Sequence, residues 1–170
     1  MESVEPYFQK YLNRVVAGAE PVDQLRSQAG NLVHWAERVE PAATTVVHAP
    51  YTWTFRQVLQ HIIDTERVFA FRALWFARGA NEPLPSFDEH AFSRHSLANE
   101  IDWTKLVDEF HSVRAASVSL FGNLPPDAWK RAGIAAGYKM DVTMLCGMIF
   151  GHLDHHFEIL RSRLLSETSR

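Results

Sequence analysis

The chain has 170 residues, 46% of them hydrophobic and 22% charged, with a net charge of −3; this balance is typical of a globular domain that buries its own core. It argues against a surface for nucleic acid or anionic lipid, and no apolar run approaches the ~20 residues of a membrane span. The single cysteine excludes an internal disulfide, and the first residues lack the apolar core of a secretory signal. We therefore expect one domain over residues 1–170, a cytoplasmic location, and neither a nucleic-acid nor a membrane partner.

Helical periodicity dominates the chain, and alternating β-branched runs are scarce. A short amphipathic segment comes first, and a first long helix follows over VDQLRSQAGNLVHWAERVE, ending before Pro41. Thr54 and Gln57, three residues apart, form the pattern of a capping box. This pattern predicts the start of a second long helix, which continues without a breaker to Gly79.

The second half of the chain predicts two more long helices. Residues 80–100 are too long for a tight helix hairpin, and connections of this length are usually functional or return the chain across a bundle. A third helix is expected from about Asp102 or Thr104 to Phe121, and Asp141 is placed to cap a fourth. The stretch between these two helices is interpreted as a turn and a loop. The pattern predicts an all-α fold, a four-helix bundle with a long crossover connection between helices 2 and 3.

Three histidines fall within the short stretch GHLDHHFEIL of the fourth helix. Because helical residues advance by about 100° each, His152 and His156 lie one turn apart, in the apolar stripe formed by Leu145, Met148, Ile149 and Ile159. Buried imidazole nitrogens need partners. The spacing of four residues lets two imidazoles of one helix reach one metal ion, although two core histidines bonded to the protein are an alternative that this spacing does not exclude.

A third metal ligand has to come from another helix, and His61 is the best candidate because it lies at the margin of the apolar face of the second helix. Three histidines without a fourth protein ligand leave an open position, which is typical of a catalytic rather than a structural site. A water or substrate atom at that position would have its pKa lowered by the ion. We expect one divalent ion per chain, Zn or Ni before Mn or Fe.

Four blocks of the chain resemble the DinB-like, or YfiT-like, metalloenzyme family, and they stand in the family's order: WTFRQVLQHIIDTERVFAFRALWFARG, LPSFDEHAF, VDEFHSVRAASVSLFGNLPPDAW and GHLDHHFEILRSRL. The HxxDxER and GHxxHH patterns within them are together fairly specific. The resemblance implies a four-helix bundle of unusual connectivity and a divalent metal held by His61, His152 and His156. It further implies a homodimer and a reaction on a small-molecule substrate. That reaction is either transfer of a low-molecular-weight thiol such as bacillithiol or mycothiol, or hydrolysis.

Three other residues have both a functional and a structural interpretation. Asp64, one turn beyond the histidine of the second helix, can orient an imidazole or contact a metal-bound water, or it can be a solvated helix acid. His155 can be a fourth ligand or a proton shuttle, or it can pack at the flank of its helix. Arg72 can hold an anionic substrate group, or it can form an ion pair with Glu66 or Asp108.

The leading hypothesis is a divalent-metal-dependent enzyme that transfers a low-molecular-weight thiol to a small electrophile. A hydrolase that uses a metal-activated water is the second hypothesis. No obvious general base beyond Asp64 and His155 accompanies the histidines, which favours a thiolate, because a metal-bound thiolate needs no base. A non-catalytic metal-binding bundle of a stress response is the third hypothesis, and a closed fourth ligand position would favour it.

Overall fold

The computed structural model describes the backbone of residues 5–167 and the side chains of residues 5–164. Within this range lie six helices and one hairpin: α1 (Gln9–Leu12), α2 (Pro21–Ala36), α3 (Phe55–Ala77), α4 (Glu89–His95), α5 (Trp103–Gly122), β1 (Ala132–Ala135), β2 (Tyr138–Asp141) and α6 (Val142–Glu167). Three short 3-10 turns complete the connections, at Pro41–Thr45, Ala98–Glu100 and Pro126–Lys130. The four long helices are α2, α3, α5 and α6. None of the helices in the described part is both long and apolar enough to cross a membrane.

The ends of the long helices follow from local sequence signals. The Thr54 hydroxyl accepts a hydrogen bond from the amide of Gln57 at 3.2 Å, and the Gln57 side chain accepts one from the amide of Thr54 at 3.0 Å. This reciprocal pair is the capping box that opens α3. The carboxylate of Asp141 accepts a hydrogen bond from the amide of Met144 at 2.7 Å, which caps α6. The predicted starts of the second and fourth long helices are therefore confirmed.

The expectation of an all-α fold is wrong in one place. The stretch before α6 forms the antiparallel hairpin of β1 and β2, in which Ala135 pairs with Tyr138 and Ala132 with Asp141. The two residues of its turn, Ala136 and Gly137, have φ angles of 52° and 83°, as a two-residue hairpin turn requires. An Ala-Gly pair lacks the Asn-Gly or Asp-Gly signal that usually marks such a turn. The fold is therefore mostly helical with a small sheet.

The connection between α3 and α5 is fastened to this hairpin. The amide of Leu84 donates to the carbonyl of Ile134 at 2.9 Å, and the amide of Ala136 donates to the carbonyl of Leu84 at 3.0 Å. The same connection contains α4, which packs against α3. The sequence predicts no helix in this connection. The structure nevertheless has one there, and it brings its side chains to the wall of the bundle.

The long helices pack in a defined order around the bundle. Both α2 and α3 pack against α5 and α6. Near the start of α3, Arg56 donates to the carbonyl of Ile101 just before α5, and further along α3, Arg67 donates to Glu109. Neighbouring helices α3 and α5 therefore run in the same direction.

Two apolar clusters fill the interior of the bundle. One lies against the hairpin and includes Phe69 and Leu145; the other lies at the opposite end and includes Leu59 and Phe110. Buried polar side chains separate the two clusters along α3, α5 and α6, and we call them the polar layer: Thr65, Glu66, Arg114 and His152. The candidate site lies at the same height along the bundle as the polar layer.

Helix α1 packs against α6, and at Gly151 the two backbones come close together. A β-carbon at Gly151 would lie 2.8 Å from the Cα of Tyr11 and closer still to its carbonyl group, so backbone atoms would have to move. We expect Gly151→Ala to displace α1 and to lower the free energy of unfolding by about 2–3 kcal/mol, the upper range for overpacking. In a chain of this length, the thermal midpoint Tm would fall by roughly 4–12 °C.

The matched control for this prediction is Gly30→Ala in α2, where an added β-carbon meets no atom within 4 Å. Alanine is the better helix former, so this change should raise the free energy of unfolding by up to about 1 kcal/mol. Equal midpoints for the two variants in thermal unfolding followed by circular dichroism would contradict the close approach of α1 to α6.

Candidate metal centre

Three histidine side chains converge between α3 and α6. The Nε2 atoms of His61 and His152 are 2.9 Å apart, and one nitrogen from each of the rings of His61, His152 and His156 lies within 4.8 Å of the others. His61 and His152 are 6% and 3% exposed, and His156 is partly buried. The structure thus brings together the three histidines that the helical angle and the resemblance selected.

Aromatic rings hold these imidazoles in place. The ring of Trp53 packs edge-on against His61 at 5.1 Å between centroids. The rings of Tyr11 and Phe69 pack against His152 at 5.2 and 6.1 Å. On the far side of His61, the Thr65 hydroxyl lies 3.5 Å from Nδ1. The site is therefore apolar around the rings, with the nitrogens turned toward one another.

Burial keeps all three imidazoles neutral at neutral pH. Desolvation is the largest cause in each case, and it lowers the pKa of His61 to about 4 and the pKa of His156 to about 2. The pKa of His152 is also lowered well below its usual range by desolvation, and the neighbouring imidazoles add to the effect. Because a cation has no proton to displace from these rings near pH 7, each can offer a lone pair.

The donor set fits a divalent transition metal. Neutral imidazole suits such ions, and Zn binds histidine nitrogen at about 2.0–2.1 Å, so nitrogens that share one ion lie up to about 4.2 Å apart. The three histidine nitrogens of the cluster lie within 4.8 Å of one another, which is only slightly more than this distance. The two Nε2 atoms of His61 and His152 are 2.9 Å apart. At this distance either one of them donates a hydrogen bond to the other, or both face a cation. Small side-chain movements therefore suffice for the three rings to share one ion.

Glu89 brings a carboxylate to the cluster, and sequence reasoning gave it no role. Its Oε2 atom lies 3.9 Å from Nε2 of His61, and its side chain is 53% exposed. The adjacent Asp88 caps α4 by accepting hydrogen bonds from the amides of His90 and Ala91 at 2.9 and 3.0 Å, which fixes the position of Glu89. The residue stands in the LPSFDEHAF block, but an acid in a long connection gives no periodic signal.

Asp64 makes its contacts away from the cluster. Its carboxylate accepts a hydrogen bond from Gln60 at 3.1 Å and lies 3.6 Å from Nη1 of Arg67. Burial raises the pKa of Asp64, and the contacts with Gln60 and Arg67 oppose that rise. Neither of these contacts reaches the three histidines. Its role in orienting an imidazole stays a prediction without a contact to support it.

His155 lies at the flank of α6, next to the cluster. Its ring is 5.8 Å from that of Tyr11 and 5.0 Å from that of His156 between centroids. Its nitrogens do not belong to the group that could share an ion. This placement agrees with packing at the helix flank, and the roles of fourth ligand and proton shuttle stay predictions.

Two cavities open beside the cluster. The first, of about 490 Å³, reaches His152, and the second, of about 350 Å³, reaches His156. Glu89 lies in the wall of both cavities. A larger groove of about 750 Å³ between α2 and α6 is lined by none of the three histidines, so size alone does not mark the site. The cluster therefore has room for small molecules on two sides.

Comparison with known proteins identifies the relatives of this fold. The sequence model of the DinB superfamily matches residues 24–160. YfiT from Bacillus subtilis, described as a probable metal-dependent hydrolase with an unusual four-helix bundle topology, superposes with a TM-score of 0.66 at 17% identity, over 92% of this chain and 85% of YfiT. A mycothiol-dependent maleylpyruvate isomerase superposes with a TM-score of 0.70 at 14% identity, over 86% of this chain and 61% of the isomerase. No curated protein sequence matches the chain. At these identities the structural likeness shows the shared fold alone.

Proposed function

The chain belongs to the DinB superfamily, and from this membership and the three-histidine cluster we propose that it is a divalent-metal-dependent enzyme. We propose that it transfers a low-molecular-weight thiol to a small electrophile. The observation that carries the proposal is the convergence of His61, His152 and His156 in apolar surroundings. A single domain over residues 1–170, the crossover between the second and third long helices, a cytoplasmic location and a homodimer belong to the same proposal.

The three histidines would hold one ion, Zn or Ni before Mn or Fe. When bound, the ion supplies positive charge that stabilises the anionic form of a small thiol or of water at neutral pH. The chain's own residues shield this site. The rings of Trp53 and Phe69 cover part of the imidazole surface, and charge interactions are stronger where a site is shielded from water.

Glu89 is placed to handle the proton that the nucleophile loses. Its Oε2 atom lies close to Nε2 of His61 and beside both cavities, so a thiol or water that reaches the cluster also reaches the carboxylate. Proton transfer to a positioned carboxylate is general base catalysis. Because the side chain is about half exposed, Oε2 can pass the proton on to solvent. Glu89 thus supplies the general base that sequence reasoning did not find.

The two cavities favour a reaction between two small molecules. Thiol transfer needs a thiol and an electrophile side by side, and the cavities reach His152 and His156 from different sides. The isomerase relative is mycothiol-dependent. Hydrolysis is the second candidate, because Glu89 can serve water as it serves a thiol. A non-catalytic metal-binding bundle of a stress response fits less well, since cavities open beside the cluster.

The first experiment is the metal content of untagged protein purified without added metal, measured by plasma mass spectrometry. We expect about one equivalent of Zn, Ni, Mn or Fe per chain. The metal-loaded protein should then accelerate S-conjugate formation between bacillithiol or mycothiol and 1-chloro-2,4-dinitrobenzene, and chelation should abolish that acceleration.

Three outcomes separate the hypotheses. No bound metal after incubation with each ion would overturn the proposal. Metal-dependent hydrolysis of simple esters without thiol conjugation would favour the hydrolase. Bound metal with neither activity would favour the non-catalytic bundle.

A further inference from the structure

Arg72 of α3 carries a buried positive charge that no carboxylate neutralises within the described part of the chain. The residue is 2% exposed. Its Nη2 donates to the carbonyl of Pro85 at 2.7 Å, whereas Nη1 is buried and has no hydrogen-bond partner among the described residues. The expected ion pair with Glu66 or Asp108 is wrong. Both oxygens of Glu66 bind Arg114 at 2.8 Å, and Asp108 is exposed and makes no ion pair with Arg72 among the described residues. Arg72 therefore has donor capacity that the protein leaves unused.

A guanidinium in this position is costly without an anion. Charged groups lose their hydration on burial, and buried charges are normally paired. Burial lowers the pKa of Arg72, and the neighbouring Tyr7 hydroxyl is the group that opposes this. A neutral hydroxyl does not replace a counter-charge. The arrangement is that of a site which an anionic ligand completes.

Arg72 lies in the wall of the 490 Å³ cavity that reaches His152. The ring of Phe69 lies between them, 5.9 Å from the Cζ atom of Arg72 and 6.1 Å from the ring centroid of His152. Two further polar groups, Tyr7 and Lys10, line the same cavity. Lys10 is exposed and stands over the ring of Tyr11 at 4.8 Å. One cavity thus joins two cations to the candidate metal centre.

The acids of this cavity do not occupy the guanidinium. Asp88 and Glu89 both line the cavity. The carboxylate of Asp88, however, accepts hydrogen bonds from the backbone amides at the start of α4. Glu89 stands near His61. Among the described residues, neither acid forms a hydrogen bond or an ion pair with the guanidinium. Burial raises the pKa of the Tyr7 and Tyr11 hydroxyls, and the charge of Glu89 adds to that rise, so Glu89 faces this cavity without pairing with the guanidinium. Arg72 is left for a ligand.

We propose that this cavity binds a small organic acid, whose carboxylate is held by Arg72 with Tyr7 and Lys10 and whose other end extends over Phe69 toward the histidine cluster. The planar fork of a guanidinium matches a carboxylate through two parallel hydrogen bonds. The proposal rests on the proposed function and deepens it, because the acid is then the small electrophile that receives the thiol. The substrate class is an anionic electrophile.

The test uses metal-free, chelator-treated protein, so that a carboxylate cannot bind through an ion. Isothermal titration calorimetry with succinate should show binding in the millimolar range or tighter, whereas the matched neutral compound succinamide should not bind. Arg72→Gln should weaken succinate binding at least tenfold. The control Arg67→Gln changes an exposed arginine of the same helix, which pairs with Glu109, and it should leave succinate binding unchanged.

A second variant covers the case in which Arg72→Gln does not fold. Lys10→Gln changes an exposed side chain, and it should weaken succinate binding several-fold at low salt, with a smaller effect at high salt. Equal binding of succinate and succinamide would overturn the proposal. Unchanged succinate binding in correctly folded Arg72→Gln or Lys10→Gln protein would overturn it as well. Because the protein is metal-free, these results do not depend on whether the metal proposal holds.

Discussion

Replacing His61 by alanine should remove nearly all of the bound metal while leaving the helices intact. His61 is the only one of the three clustered histidines that α3 supplies, so the two that remain both lie on α6. Loss of an outer partner of a metal ligand costs 10–100-fold in affinity, so loss of the ligand itself should cost more than about 100-fold. Competition with a chromogenic chelator measures the affinity, and circular dichroism measures the helical content.

Two histidine controls sharpen this experiment. His111→Ala changes an exposed residue of α5 and should leave the affinity for metal unchanged. His155→Ala separates the two interpretations of that residue: unchanged affinity supports packing at the helix flank, and a loss like that of His61→Ala would make His155 a ligand. Wild-type affinity in His61→Ala would show that the third ligand is another residue.

Replacing Glu66 by glutamine should destabilise the fold by about 3–5 kcal/mol, because it leaves the buried charge of Arg114 without an anion. Glu66 and Arg114 are 3% and 1% exposed. The guanidinium donates to both oxygens of Glu66 at 2.8 Å, and also to the carbonyl of Leu25 and the side chain of Gln28 at 3.0 Å. At about 2–4 °C per kcal/mol for a chain of this length, the thermal midpoint Tm should fall by roughly 6–20 °C.

The same two helices supply the control for this prediction. Arg67 and Glu109 form an ion pair of 2.6 Å between α3 and α5, but at the surface. Exposed pairs contribute roughly 0–1 kcal/mol, so Glu109→Gln should change the midpoint little. Adding Arg114→Met to Glu66→Gln removes the unpaired charge and should recover part of the loss. A midpoint for Glu66→Gln equal to that of Glu109→Gln would mean that the buried pair contributes no more than the exposed one.

The long helices and the three histidines could be predicted because their signals are local. The capping box at Thr54 and the cap at Asp141 are read within one turn of helix, and the angle between His152 and His156 is fixed by their spacing. The position of His61 opposite them needed the packing of α3 on α6. His61 was selected without that packing, from its position at the margin of the apolar face of its helix and from the family resemblance.

The remaining features depend on contacts between distant segments. Glu89 reaches the cluster because the hairpin fastens the connection that carries α4, and neither the hairpin nor the helix has a strong local signal. Glu66 and Arg72 are six residues apart on α3, so their side chains lie on different sides of the helix. The packing of α3 on α5 then pairs Glu66 with Arg114.

The span of chain between the histidines couples the candidate metal centre to folding. His61 and His152 are separated by 91 residues, so an unfolded chain does not hold them together, and an ion that binds them binds the folded state. Such binding stabilises the fold by mass action, by about 2.7 kcal/mol when the free ion is at 100 times its dissociation constant. The supply of metal would then govern the lifetime of this protein. A cell starved of the ion would hold the same sequence in a form that unfolds, and is degraded, more readily.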